Sequence, residues 1–245
     1  MNKKNKRKVN YRRTFFPKIP TYNNIMYYNS LVKLLLAIIL AILIFICFHF
    51  VTFNHHKTKI KTVTKYKDKI AENIVFLGDS ITEIYDLDKY YPDHNVVNSG
   101  ISGNTTEDIL DNMYERVYRY NPSKVFLLIG TNQIEKDSTD KIADDITKIV
   151  KGIHEKRPNA KVYVESIYPV NKDITEVTGD RNNDKIIDTN KLIDNNSKKY
   201  NYRYIDVHSK LLDKEGRLKE EYTYDGLHIS EKGFNKITKI INKYI

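Results

Sequence analysis

From residue 71 onward, short apolar runs alternate with stretches whose apolar residues recur at helical spacing. Strands that alternate with helices predict βαβ crossovers, and these require a parallel sheet covered by helices on both faces. The predicted strands are 73–77, 95–97, 124–129, 161–167 and 202–207. The predicted helices are 106–120, 140–156, 184–200 and 231–244. The pattern therefore indicates a single α/β domain over residues 71–245, a usual domain size.

Two details of the helical segments support this interpretation. Thr105 followed by Asp108 fits a capping box at the start of the first predicted helix. One apolar stripe in the second helix has helical spacing and should face the core; its members are Ile142, Ile146, Ile149, Val150 and Ile153.

A long apolar run precedes this domain, from residue 34 to 47, and continues to 53 with only His49 and Thr52 interrupting it. About 20 helical residues span the roughly 30 Å of a hydrocarbon core. No small-residue cleavage motif follows, so we predict an uncleaved transmembrane anchor over 31–53. Eight Lys or Arg precede residue 31, against six Lys in 57–69. This bias predicts a single-pass protein of the cell membrane with its N-terminus in the cytoplasm and its folded domain outside.

The anchor defines the remaining segments: a basic cytoplasmic N-terminus over 1–30 and a stalk over 54–70. The formal charge of +10 belongs to these segments, because residues 1–70 carry fifteen basic residues and one acid. Residues 71–245 carry 26 basic and 30 acidic residues. A nucleic-acid partner is therefore not expected, since such proteins concentrate positive charge on the folded domain. Cys47 is the only cysteine, which excludes an intrachain disulfide and a thiolate metal cluster.

Four short motifs lie where chemistry is expected in this fold, since ligands of open α/β sheets bind beyond the carboxyl ends of the strands. Gly78-Asp79-Ser80 follows the first strand, where a serine can stand exposed at a helix start. The second motif is the glycine- and hydroxyl-rich segment 98–106, which includes Gly103 and can offer backbone N–H groups. Each of these, taken alone, is also compatible with a structural turn.

The other two motifs carry an amide and an imidazole. Asn132 follows the third strand by a Gly-Thr step, and its side chain could donate to an oxyanion, although asparagine is also a common turn residue. Asp225-Gly-Leu-His228 precedes the last helix, and an Asp three residues before a His can orient its ring. A surface Asp–His pair is the alternative for this motif alone.

Together, in order and spacing, the four motifs resemble the SGNH hydrolase family, also called GDSL esterases and lipases. The resemblance covers residues 72–245 and implies a flavodoxin-like, three-layer α/β/α fold with a parallel sheet. It implies Ser80 as nucleophile, His228 as base and Asp225 as its partner. It further implies an oxyanion hole from the N–H groups of Ser80 and Gly103 and the amide of Asn132, with no metal or organic cofactor.

Two positions depart from the family pattern. Gln133 stands where an aspartate usually follows the asparagine, so local geometry should differ there. Ile81 replaces the common leucine after the serine, a change that nearly conserves volume.

The expected activity is that of a serine ester hydrolase that removes short acyl groups, such as O-acetyl, from cell-wall or surface glycans or from small esters. A lysophospholipase or thioesterase acting on lipid esters is the alternative enzyme, and acyl transfer or glycan binding without turnover is the alternative outside hydrolysis.

Three tyrosines near the motifs could stack on a sugar ring or simply pack, namely Tyr168, Tyr222 and Tyr224. Segment 180–184 resembles a calcium loop but lacks the required Gly and Glu, which predicts a polar turn.

Overall fold

The computed structural model describes residues 32–46, 49–50 and 73–245. The chain divides into two units, Met1–Thr64 and Lys65–Ile245. In the first unit, residues 32–46 and 49–50 are helical. Across the described ranges, no helix combines the length and apolar character needed to cross a membrane. The predicted anchor lies only partly within these ranges, and the predicted N-terminal segment and stalk lie outside them.

A five-stranded sheet forms the centre of the second unit. Its strands are β1 (Asn73–Gly78), β2 (Asn95–Gly100), β3 (Lys124–Leu128), β4 (Lys161–Glu165) and β5 (Arg203–Ile205). The spatial order is β2-β1-β3-β4-β5, and every neighbouring pair is parallel. The prediction of a parallel sheet with βαβ crossovers is confirmed.

Eight helices surround the sheet over residues 73–245. They are α1 (Ser80–Glu83), α2 (Leu87–Tyr90), α3 (Thr106–Asp111), α4 (Met113–Arg116), α5 (Thr139–Lys156), α6 (Asn183–Tyr200), α7 (His208–Leu211) and α8 (Glu231–Ile241). Four 3₁₀ turns accompany them, at Tyr118–Tyr120, Thr131–Gln133, Glu176–Thr178 and Glu220–Tyr222.

Alternate residues of each strand face opposite sides of the sheet, and each side has its own apolar core. Val75 and Leu77 of β1 pack in the core that holds the apolar faces of α5 and α6. Ile74 and Phe76 of the same strand pack in the core that holds α8. Two helical layers therefore enclose one sheet, which confirms the predicted three-layer fold.

The predicted helix 106–120 is wrong in its length, because the chain breaks twice and forms α3, α4 and a 3₁₀ turn. The capping box of Thr105 and Asp108 is present as predicted. At Asn112 the backbone leaves the helical region, and the side chain donates to the carbonyl of Asp108 at 2.9 Å. This asparagine competes with the backbone for hydrogen bonds, a known cause of helix ends.

The predicted strand 161–167 is two residues too long. Beyond Glu165, the N–H of Ile167 donates to the side chain of Asn190 on α6 at 2.8 Å, and the Asn190 amide donates back to Ile167 at 2.9 Å. A helix side chain thus replaces the strand neighbour, and the chain turns away from the ladder.

Candidate active site

The first motif lies at the carboxyl end of β1, the strand between β2 and β3. Asp79 caps α1, and Ser80 is the first residue of this helix, 9% exposed. A Cβ atom at Gly78 would lie 2.1 Å from the hydroxyl of Thr82 and 2.4 Å from the carbonyl of Leu128. Only glycine fits at this close approach. The tight turn brings the chain from β1 into α1 and places Ser80 at the carboxyl end of the sheet.

The structure brings Ser80, His228 and Asp225 into one hydrogen-bonded row. The Nε2 atom of His228 lies 3.1 Å from Ser80 Oγ, and its Nδ1 lies 2.7 Å from Asp225 Oδ2. An ionised carboxylate only accepts hydrogen bonds, so Nδ1 carries the hydrogen and Nε2 of the neutral ring accepts from the serine hydroxyl. The three predicted residues therefore have the contacts that nucleophilic acyl transfer requires.

The loop of Asp225 and His228 is tightly closed. Thr223 Oγ1 accepts from the N–H of Gly226 at 2.8 Å and donates to the carbonyl of His228 at 2.7 Å. Gly226 has φ +89°, and a Cβ there would lie 2.2 Å from the carbonyl of Asn171. The glycine in this motif is required because backbone from a neighbouring loop occupies the space of a side chain.

The environment of Asp225 keeps its carboxylate ionised. Partial burial opposes ionisation, but the His228 ring and the N–H groups of His228 and Leu227 all donate to it, so the pKa of Asp225 lies below its ordinary value. A carboxylate held in this form can stabilise a positively charged imidazole next to it.

Asn132 lies in the 3₁₀ turn after β3, beside the loop that carries Gly103. Its Nδ2 donates to the carbonyl of Asn104 at 3.0 Å, and its Oδ1 accepts from Nη2 of Arg181 at 3.1 Å. An amide nitrogen has two hydrogens, so one remains for another acceptor. No acceptor in the described part of the chain takes the N–H of Gly103.

Gln133 joins the second and third motifs. It is buried, its Oε1 accepts from the N–H of Thr106 at 2.7 Å, and its Nε2 donates to Asp137 at 2.7 Å. The N–H of a first helical residue needs an acceptor from outside the helix, and an amide oxygen supplies it as a carboxylate would. The departure from the family pattern therefore keeps an acceptor at the start of α3.

A buried cation lies behind the same loops. Arg116 is 5% exposed, and its Nη2 donates to the carbonyls of Gly78 at 2.8 Å and Ser99 at 2.5 Å. Its Nη1 donates to the side chain of Asn104. One guanidinium thus holds together the ends of β1 and β2 and the loop that contacts Asn132.

Asp79 is fully buried beside the nucleophile. Burial raises its pKa to about 7, although the Ile81 N–H, the His228 ring when it is protonated, and the charge of Arg181 oppose the rise. Its Oδ1 accepts from the N–H of Ile81 at 3.0 Å, while Oδ2 has no partner within the described ranges. The carboxyl is therefore partly protonated near neutral pH.

The sequence did not single out Arg116 or Arg181. Arg116 falls on what reads as an ordinary amphipathic helix, and Arg181 falls in the polar turn 180–184. Gly78, one partner of Arg116, lies 38 positions away, and Asn132, one partner of Arg181, lies 49 positions away, and no spacing rule relates either pair. Within the described residues, no group of three His, Cys, Asp or Glu side chains could hold a metal ion.

The chain is similar to known proteins over its second unit. The model of the GDSL-like lipase/acylhydrolase family matches residues 76–236, more than half of the chain. N-acylneuraminate cytidylyltransferase of Escherichia coli O18:K1:H7 is 30% identical over 180 residues, which are 70% of this chain. The chain spans only 41% of that relative.

Two further proteins match most of their own length. Platelet-activating factor acetylhydrolase IB subunit alpha2 of Rattus norvegicus is 26% identical over 189 residues, 73% of this chain and 78% of that protein. A solved structure from Streptococcus pneumonia, assigned to a platelet activating factor, is 32% identical with a TM-score of 0.68 and covers 77% of this chain and 92% of that one.

The family model and the fold therefore agree on the same residues, and the predicted ester-hydrolysing activity follows from them. The chain belongs to the GDSL-like lipase/acylhydrolase family and is an ester-hydrolysing enzyme.

Proposed function

We propose that the enzyme is a serine esterase in which Ser80 is the nucleophile, His228 the general base and acid, and Asp225 the residue that orients the imidazole. The observation that carries this proposal is the position of His228 between the other two, 3.1 Å from Ser80 Oγ and 2.7 Å from Asp225 Oδ2. Serine is a weak nucleophile unless a base takes its proton.

The reaction has two halves. Ser80 Oγ attacks the ester carbonyl carbon while His228 Nε2 takes the hydroxyl proton, and the tetrahedral intermediate collapses as His228 protonates the leaving alcohol. Water then enters, His228 takes one of its protons, and the acyl group leaves as a carboxylic acid while Ser80 recovers its hydrogen. The positive charge that the imidazole gains in both halves lies beside the Asp225 carboxylate.

The negative charge of the intermediate needs donors of its own. We assign this role to the N–H groups of Ser80 and Gly103 and to the free hydrogen of the Asn132 amide. The first N–H groups of a helix have no partner within it, and Gly103 has no described acceptor. Donors of this kind contribute mainly in the transition state, so they raise kcat rather than lower KM.

The proposed substrates are short acyl esters, above all acetyl esters, of cell-wall or surface glycans. Several polar side chains contact the loops of the proposed site, among them Asn104, Thr175 and Arg181. One relative is an acetylhydrolase by name, which favours a small acyl group. The proposed anchor over residues 31–53 would place the domain outside the cell membrane, next to such glycans.

Of the three tyrosines suggested for sugar stacking, Tyr224 is the best placed. Its side chain is 69% exposed, and its N–H donates to the carbonyl of His228 at 3.1 Å. Tyr168 is buried and donates to Glu165, so it cannot meet a substrate. Tyr222 is partly buried in the core that holds α8.

Ester hydrolysis by the full chain in detergent, across p-nitrophenyl esters from acetyl to long acyl chains, tests this function. Turnover that Ser80→Ala abolishes and that is fastest with acetyl supports the proposal. Rates that rise with chain length would instead favour lipid esters, the alternative substrates. A folded protein without turnover would point to acyl transfer or glycan binding. Protease treatment of intact cells tests the location, and a protected C-terminal domain would contradict it.

A further inference from the structure

The long connection between β4 and α6 contributes one arginine to the proposed site. Arg181 lies two residues before the start of α6, and its side chain is 13% exposed. Its Nε donates to the carbonyl of Thr131 at 3.0 Å, and its Nη1 donates to the carbonyl of Thr178 at 2.9 Å. The guanidinium is thereby fixed between its own loop and the turn after β3.

The remaining donor of this fixed group points at the amide proposed for the oxyanion hole. Nη2 of Arg181 donates to Oδ1 of Asn132 at 3.1 Å, and Nδ2 of Asn132 donates to the carbonyl of Asn104 at 3.0 Å. The amide is held from both sides. In the flipped orientation, Oδ1 would face the Asn104 carbonyl and Nδ2 would face the guanidinium. Both contacts would then be repulsive, so only one orientation is stable.

The contact also acts on the electrons of the amide. A charged donor at the oxygen draws electron density from the nitrogen, and hydrogen bonds in series strengthen one another in this way. The free hydrogen on Nδ2 of Asn132 therefore becomes a stronger donor. Such a donor interacts most with an acceptor that carries negative charge, as the oxygen of a tetrahedral intermediate does.

We propose that Arg181 is a positioning residue of the oxyanion hole, which fixes and polarises the Asn132 amide and thereby raises kcat. This inference rests on the proposed function, since it presupposes that Asn132 receives an oxyanion. Arg181 itself acts through Asn132 and has no direct role in the chemistry.

A purely structural role is the competing explanation. Arg181 also pairs with Glu135 at 3.1 Å, and its loop contacts the base loop through a hydrogen bond of 2.6 Å from Thr175 to the Asp225 carbonyl. Loss of the arginine could disturb the site by loosening this loop. Arg217 supplies a matched control. It donates to Asp173 on the same loop and to Asp213, and it has no contact with Asn132.

A double-mutant cycle separates the two explanations. The kcat and KM of the full chain toward p-nitrophenyl acetate are measured for Arg181→Met, Asn132→Ala and the double variant, with urea unfolding for each. We expect Arg181→Met to lower kcat about 10- to 100-fold with little change in KM, part of the effect of losing a whole donor. In the Asn132→Ala background the same substitution should change kcat less than twofold. Arg217→Met should leave kcat within twofold of the unmodified chain.

Each result is decisive. An equal loss of kcat from Arg181→Met in both backgrounds, or no loss in either, overturns the role of Arg181. The proposed function still stands in that case, as long as turnover depends on Ser80. Hydrolysis that survives Ser80→Ala overturns the proposed function and this inference with it. If Arg181→Met does not fold, Arg181→Lys replaces it in the cycle. Lysine keeps the charge but not the planar fork, so kcat should again fall in the unmodified background only.

Discussion

Asp225 contacts His228 twice, through Oδ2 to the ring Nδ1 and through Oδ1 to the backbone N–H, both at 2.7 Å. One carboxylate thus fixes both the position of the loop and the rotation of the ring. The two contacts leave the imidazole one orientation, in which Nε2 faces Ser80.

Asp225→Asn should therefore abolish most activity without unfolding the enzyme. The asparagine oxygen can still accept from the backbone, but its amide nitrogen would face Nδ1 and favour the wrong tautomer. We expect kcat toward p-nitrophenyl acetate to fall about 1,000- to 10,000-fold. Asp188→Asn, on the exposed face of α6, is the control. Retention of more than a tenth of the activity would contradict the assigned role of Asp225.

Arg116 should matter for stability as well as for the site. Arg116→Met leaves the carbonyls of Gly78 and Ser99 buried without this donor, and we expect a loss of about 3 kcal/mol in the free energy of unfolding. Urea unfolding measures it. Arg119→Met removes an exposed arginine that pairs with Glu115, and a change of about 0.5 kcal/mol or less is expected. Equal effects of the two substitutions would be inconsistent with this account.

Glu165 should make the enzyme less stable as pH rises. Burial raises its pKa from the ordinary 4.5 to about 7, although a hydrogen bond from Tyr168 opposes the rise. Between these values the folded state holds a proton that the unfolded state has released, so the free energy of unfolding falls as pH increases through this window. Glu165→Gln cannot ionise, and its stability relative to the unmodified chain should increase by up to about 3 kcal/mol between pH 4.5 and 8.

Urea titrations at the two pH values give this difference. The buried Asp79 is present in both proteins, so its pH-dependent contribution to the free energy of unfolding cancels. Glu155→Gln, at an exposed position on α5, serves as the control. A relative stability of Glu165→Gln that does not change with pH would show that folding does not raise the pKa of Glu165.

Tyr224 tests the glycan part of the proposal. Stacking of a sugar on an exposed ring contributes about 1 kcal/mol, or about fivefold in affinity. Tyr224→Ala should therefore raise KM for an acetylated oligosaccharide about fivefold and leave its kcat nearly unchanged. Tyr114→Ala, equally exposed on α4, is the comparison. If both variants behave alike, the sugar does not contact Tyr224.

The sheet and the long helices could be predicted from the sequence because their signals are local. The stripe from Ile142 to Ile153 is buried in full, as its spacing predicted, since every member faces the same side of α5. The four motifs could be placed for a related reason: the carboxyl ends of parallel strands meet at one edge of the sheet.

The remaining features depend on contacts between distant parts of the chain. Arg181 meets Asn132 across 49 positions, and Gln133 meets Thr106 across 27. Neither pair leaves a periodicity or a composition signal. The break at Asn112 escaped prediction because the apolar residues on both sides of it keep helical spacing while a single side chain ends the helix.

The distance in the chain between Ser80 and His228 has a consequence for biosynthesis. The two residues are 148 positions apart, and every strand after β1 lies between them. A ribosome makes the nucleophile long before the base, and it makes the loop that carries His228 only after β5. If these residues act as proposed, the nascent chain cannot hydrolyse esters through most of its synthesis, and esterase activity begins only after the loop of His228 has been made and has reached Ser80.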